Sequence, residues 1–280
     1  MIDFNFIGRF KTKGEYKKTY QNVKASYLTR IRWAVSIFYF GMGLCFATWA
    51  SRIPSIKTAL YLSDGELGTI LLSLPLGQLT MMFFSGKLVT RFGSHRILPF
   101  SILMYAFSLT NLGLAQNAWQ LGLGLYILGI FGNLSNIAVN TQGIYTEVLF
   151  KKTIMSSFHG VWSLAGFTGA LVGLGMLSLK LGTYTHFLIV ATFVLVLDVF
   201  NFKFLIKAKE TIRTEKKKGF RKRDKSLILL GIIGFCSMAS EGIMFDWSGV
   251  YFKDIVKVPG PLVVLGYASF MIMMASGRFF

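Results

Sequence analysis

Trp119-Gln120-Leu121-Gly122-Leu123-Gly124-Leu125-Tyr126-Ile127-Leu128-Gly129-Ile130-Phe131-Gly132-Asn133-Leu134-Ser135-Asn136-Ile137-Ala138-Val139 contains no charged residue. A helix that crosses a bilayer needs about 20 mostly apolar residues. This run meets that length and lacks the strict alternation of a barrel strand, so it predicts a membrane-spanning helix. Seven further runs read the same way. They lie near Trp33–Ala50, Leu67–Ser85, Ile97–Ala115, Phe158–Leu179, Tyr184–Ile206, Leu227–Trp247 and Pro261–Phe280. The fold class expected is therefore all-α and integral to a membrane, with about eight spans and the lipid bilayer as its surroundings.

The composition agrees. Apolar residues make up 53% of the 280, charged residues only 15%, and the mean hydropathy is +0.56. A soluble domain of this size needs more charge on its surface, whereas lipid-facing helices do not, and they tolerate the 29 glycines. The net charge of +18 sits in a tail and in short loops, not on one face, which argues against nucleic acid as a partner. Cys45 and Cys236 each lie inside an apolar run and read as small buried residues, so neither a metal nor a disulfide framework is expected. No cofactor is expected either. A membrane-embedded enzyme is disfavoured, because the three histidines His95, His159 and His186 form no HxxH or HxxxxD pair and no GxSxG is present. The first thirty residues are basic and polar, with no cleavable signal peptide, so the first span would act as its own insertion signal.

Lys and Arg alternate between loops. Twenty-five fall in the tail, in the loops after the second and fourth runs, in the stretch from Lys203 to Lys225 and at Arg278. Only Arg52, Lys57, Lys180, Lys253 and Lys257 fall on the other side. That bias predicts a cytoplasmic N-terminus. The domain reading is a basic tail over 1–32, a six-helix bundle over 33–206, a basic linker over 207–225 and a partial second bundle over 226–280. At a shift of 191 positions Cys45 faces Cys236, Met82 faces Met273, and Ser85-Gly86-Lys87 faces Ser276-Gly277-Arg278. Duplicated halves are common in transporters. With only two runs after the linker, four of an expected twelve helices are missing, as in a truncated carrier or a fragment.

Gly86-Lys87-Leu88-Val89-Thr90-Arg91-Phe92-Gly93-Ser94-His95-Arg96 resembles the loop between helices two and three of the major facilitator superfamily of transporters. Gly86, Arg91, Gly93 and Arg96 fit the pattern, while Thr90 stands where the family has an acid that helps lock the cytoplasmic gate. Thr48–Pro54, Ser156–Ser163 and Glu241–Ser248 look like a bacterial branch distantly similar to fucose-permease-type sugar carriers. The resemblance implies solute transport in a bacterial cytoplasmic (inner) membrane and names no molecule.

Polar groups inside hydrocarbon mark candidate sites. Asn133, Asn136 and Asn140 fall within about 60° of one another at 100° per residue, on the face that Gly122, Tyr126 and Gly129 continue. These amides either line a cavity for a hydroxylated solute or join neighbouring helices. In the superfamily, helix four lines the central cavity. His159 and Trp162 share a face with Gly166, Gly169 and Gly173, and Gln78 is another cavity amide. Trp49 and Arg52 read either as cavity residues or as an interfacial anchor. Glu241 lies roughly 22 Å along its helix at about 1.5 Å per residue. It is a candidate for reversible protonation, or for an ion pair with Arg52. Asp246 is the second candidate, read as interfacial, and Asp198 is expected near Lys203. The function expected is secondary transport of a small polar, sugar-like solute, with protons as the coupling ion. The competing reading is a truncated, non-transporting or accessory chain.

Overall fold

The computed structural model describes residues 13–207 and 225–279. The beginning of the basic tail (1–12), the linker positions 208–224 and Phe280 lie outside the described residues. Every regular element described is helical. The order is α1 (Lys13–Ala59), α2 (Asp64–Leu71), α3 (Ser73–Phe92), α4 (Ser94–Leu112), α5 (Ala118–Phe150), α6 (Met155–Ser178), α7 (Thr183–Asn201), α8 (Lys225–Asp254) and α9 (Leu265–Phe279), with short 3₁₀ turns at Phe202–Phe204 and Gly260–Val264.

Seven helical stretches among the described residues are long and apolar enough to cross a membrane. The expected third span, α4, is a helix of 19 residues that falls short by composition, because it opens on Ser94, His95 and Arg96. The boundaries also move. Helix α1 starts inside the basic tail and α5 runs past Val139 to Phe150. Backbone hydrogen bonding carries a helix beyond its apolar run, and polar side chains at its ends are solvated. The second expected run is two helices, α2 and α3, that meet at Leu72.

Apolar side chains fill the core of the bundle and also cover much of its outside. Phe83, Phe84, Phe107, Trp119, Leu123, Val199 and Phe200 are exposed, while Arg52, Ser101, Ser135, Gln142 and His186 are buried. Lipid covers the apolar exterior, and polar groups must then find partners within the bundle. Helix α1 lies against α5, α6 and α7; α3 and α4 lie against α5; α8 lies against α1, and α9 against α6 and α8. Small residues permit these approaches. A methyl group at Gly77 would stand 2.0 Å from the Tyr126 carbonyl oxygen, and one at Gly129 would stand 2.1 Å from that of Leu74, so the α3 and α5 backbones are in direct contact.

Candidate functional site

A chain of hydrogen bonds, ring contacts and one ion pair crosses five helices. Asn140 Nδ2 on α5 donates to Asn136 Oδ1. The Tyr39 hydroxyl on α1 donates to Asn140 Oδ1 at 2.6 Å. Tyr39 stacks on Phe158 and meets the His159 ring edge-on, with centroids 5.4 Å apart in both cases. On α6 the His159 carbonyl and the Ser163 hydroxyl accept from Arg278 Nη1 of α9, at 3.5 and 2.6 Å. Arg278 Nη2 completes the chain with an ion pair to Glu241 Oε1 of α8 at 3.4 Å. The guanidinium also lies over the Trp162 ring, 6.0 Å from its centroid.

The expected Asn stripe therefore splits in two. Asn133 accepts from Ser85 of α3 and joins α5 to that helix, while Asn140 accepts from Tyr39 of α1 and donates to the exposed Asn136. Tyr126 donates to Thr80 of α3 at 3.1 Å. Gln78 is exposed. Trp162 packs against Phe46 and Phe245.

Several expectations about charge are corrected. Arg52 is no interfacial anchor: it is 3% exposed, and it donates to His186 Nδ1 at 3.0 Å and to the Leu181 carbonyl at 2.9 Å. It faces the α6–α7 turn, so Glu241 pairs with Arg278 instead. Trp49 is likewise buried, at 1% exposed. Arg278, grouped by sequence with the inner-side cations, turns into the bundle. Asp246 is half-buried. Asp198 is buried, and neither carboxylate oxygen has a hydrogen-bond partner among the described residues, because Lys203 points over the Phe204 ring instead. Cys45 is buried as expected, but Cys236 is exposed.

The loop motif is a tight junction. Gly93 alone links α3 to α4 and adopts φ +84°, a conformation that favours glycine. Thr90 donates to the Gly86 and Lys87 carbonyls of its own helix at 2.9 and 3.1 Å, so it supplies no charge pairing. Gly86, Arg91 and Arg96 are exposed. Beside the junction, the buried Gln142 donates to Ser94 Oγ and to the Ile206 carbonyl, both at 2.9 Å, and accepts from the Ile206 N–H at 2.8 Å. Sequence reading passed over Gln142, Tyr39, Ser163 and Arg278. Only Ser163, one turn from His159, carried a positional signal.

At the opposite end Lys57 of α1 forms ion pairs with Asp64 of α2 and Asp254 of α8, both at 2.6 Å. Lys253 of α8 returns to Thr58 and to the Pro54 carbonyl of α1.

Long apolar helices with polar groups turned into the bundle define a multi-pass membrane protein. Residues 31–280 match the Major Facilitator Superfamily, and the chain belongs to that family. It is 31% identical over 237 residues to the uncharacterized transporter y4wD of Sinorhizobium fredii, covering 83% of this chain and 62% of the relative. It is 26% identical to an uncharacterized MFS-type transporter of Yersinia pestis, with coverage of 86% and 62%. To the membrane protein MosC of Rhizobium meliloti it is 29% identical, with coverage of 88% and 60%. The chain thus spans about three fifths of the length of these relatives. A mutant of the nucleoside transporter NupG shares its fold at a TM-score of 0.67 and 13% identity, over 89% of this chain and 66% of that one.

Proposed function

We propose that the complete protein is a secondary active transporter that moves a small polar solute across a bacterial inner membrane by alternating access. The observation that supports this best is the polar chain from Asn136 through Asn140, Tyr39, His159 and Arg278 to Glu241, which joins helices before and after the linker. Amides, a phenol, an ion pair and an indole face offer hydrogen bonds and a stacking surface to a hydroxylated solute. The cavity candidates are Trp49, Gln78, Tyr126, Asn133, Asn136, Asn140, His159 and Trp162. The loop from Gly86 to Arg96 is the gating candidate. Twelve helices, a cytoplasmic N-terminus and two rocking bundles divided at the linker complete the proposal.

Protons are the coupling candidate, through Glu241 with Asp246 as the second site. Neutralising Glu241 would release Arg278 Nη2 and leave that guanidinium to α6, so protonation would loosen α9 from α8. The test is uptake into proteoliposomes of the complete protein with a panel of sugars and nucleosides, comparing wild type with Glu241→Gln. Uptake that needs a pH gradient and is lost in the variant supports a symporter. Uptake indifferent to the variant removes Glu241 from coupling, and no flux of any solute in either gradient sinks the transport reading.

A further inference from the structure

Two basic side chains meet over one ring at an end of the bundle. The Arg30 guanidinium of α1 stands 5.9 Å from the centroid of Phe204, in the 3₁₀ turn after α7, and the Lys203 ammonium of that turn stands 5.3 Å from it. Ile31 and Leu205 are 2% and 3% exposed and anchor the two segments in the core, while Arg30 and Lys203 stay at the surface. The fold thus holds two like charges against the same ring, although they repel one another.

No acid offsets them. Neither cation forms an ion pair among the described residues. Asp198 on α7 is buried, and Glu147 accepts from the Ile154 and Met155 N–H groups at 2.7 and 2.8 Å. Gln142 joins Ile206 to Ser94, so the loop motif, with its exposed Arg91 and Arg96, shares this end and adds further positive charge. The surface therefore favours an anion from outside the chain, and a phosphodiester can accept from a guanidinium and an ammonium together.

The surroundings narrow that anion. On α1, Tyr27 and Trp33 flank Arg30 at helical spacing and are 43% and 66% exposed. Amphipathic rings of this kind sit at the level of lipid headgroups. On α7, Val196, Val199 and Phe200 form an exposed apolar stripe that runs towards Lys203 at helical spacing. A ligand that is anionic at one end and hydrocarbon along its length uses both the cations and the stripe, whereas a free phosphate uses only the cations. A choline headgroup would bring a third cation to the pair.

We propose that Arg30, Lys203 and Phe204 form a headgroup site for an anionic phospholipid, whose acyl chains lie along Val196, Val199 and Phe200. Its phosphate bridges the start of the α1 span to the turn that closes α7. The site is independent of the solute and of the coupling ion.

The test uses the complete protein in detergent with dioleoylphosphatidylglycerol, dioleoylphosphatidylcholine or inorganic phosphate as the added probe. The variants are Arg30→Gln and Lys203→Gln, both at exposed positions. Phosphatidylglycerol should raise the wild-type melting temperature in a saturable way, as a ligand of the folded state does. Its dissociation constant should weaken about fivefold in either variant, as expected for one basic residue at an anionic headgroup. In vesicles, brominated phosphatidylglycerol should quench Trp33 more than brominated phosphatidylcholine does, with Trp33→Phe identifying its share of the signal. An equal response to the two lipids overturns the site, as does a preference for phosphatidylglycerol that survives both substitutions. The same stabilisation by inorganic phosphate alone overturns the lipid as the occupant.

Discussion

Arg278 Nη2 stands 3.4 Å from Glu241 Oε1, while Nη1 of the same guanidinium donates to Ser163 at 2.6 Å. One side chain thus divides its donors between α8 and α6. The Arg278 side chain is 27% exposed and that of Glu241 15%, so the pair sits between the weak surface case and the costly buried one. Arg278→Gln is expected to destabilise by about 1–3 kcal/mol, because it strands Glu241. Adding Glu241→Gln restores part of that loss, with a coupling of about 1 kcal/mol. Thermal unfolding of the single and double variants in detergent measures it, and strict additivity would show that the contact carries no energy.

The Lys57 ammonium ties α2 and α8 to α1 through Asp64 and Asp254. Lys57→Met removes both pairs. At about 0.2–1 kcal/mol each, their loss should raise hydrogen–deuterium exchange of the α8 end near Asp254 roughly two- to fivefold. Exchange that stays at the wild-type rate would mean that Lys253, Thr58 and Pro54 hold the end without help.

Glycine positions separate close packing from empty space. Gly77→Ala or Gly129→Ala drives a methyl into a backbone carbonyl of the facing helix, which cannot swing aside. Each should cost about 2 kcal/mol or more. At Gly86, in the loop motif, a methyl would meet nothing within 4 Å, and the same holds at its counterpart Gly277. Gly86→Ala should therefore gain about 0.5–1 kcal/mol through helix propensity. Melting temperatures of the three variants decide the matter. A stabilised Gly86→Ala that transports poorly would separate a gating role from a structural one.

Gln142 is fully buried, and its amide makes three hydrogen bonds, one to the start of α4 and two to Ile206 just past the 3₁₀ turn that follows α7. Gln142→Leu keeps the volume and leaves the Ile206 N–H and carbonyl without their partner. A loss of about 2–3 kcal/mol is expected, since each orphaned group costs about 1–3 kcal/mol. The same melting experiment checks it, and an unchanged midpoint would place water or lipid headgroups as adequate substitutes.

Much of the fold was legible in the order of residues. Runs such as Trp119–Val139 are long, apolar and uncharged, and in hydrocarbon the backbone has no alternative to satisfying itself as a helix. Gly93 was legible too, because the α3–α4 junction needs a positive φ. The α4 helix was the weak case, its polar start diluting an apolar remainder. Of the candidate site, Asn136, Asn140, His159, Trp162 and Glu241 stand out in the sequence as polar or amphipathic groups within apolar runs, and the structure joins them into one chain. Tyr39 does not, since one tyrosine among many aromatics on α1 carries no pattern.

By itself, the sequence determined that the chain lies in a membrane as helices, where the apolar centres of those helices fall, and which polar residues lie within them. These are one-dimensional consequences of hydropathy and of a 3.6-residue period. Which trapped groups meet was decided only by the tertiary structure. Periodicity sets the face of a helix on which Arg52 or Glu241 sits, but not the neighbour that face turns towards. Close approach of α1 to α6 at Gly43, and the packing of α9 along α6, set those rotations. They send Arg52 to His186 and bring Arg278 to Glu241.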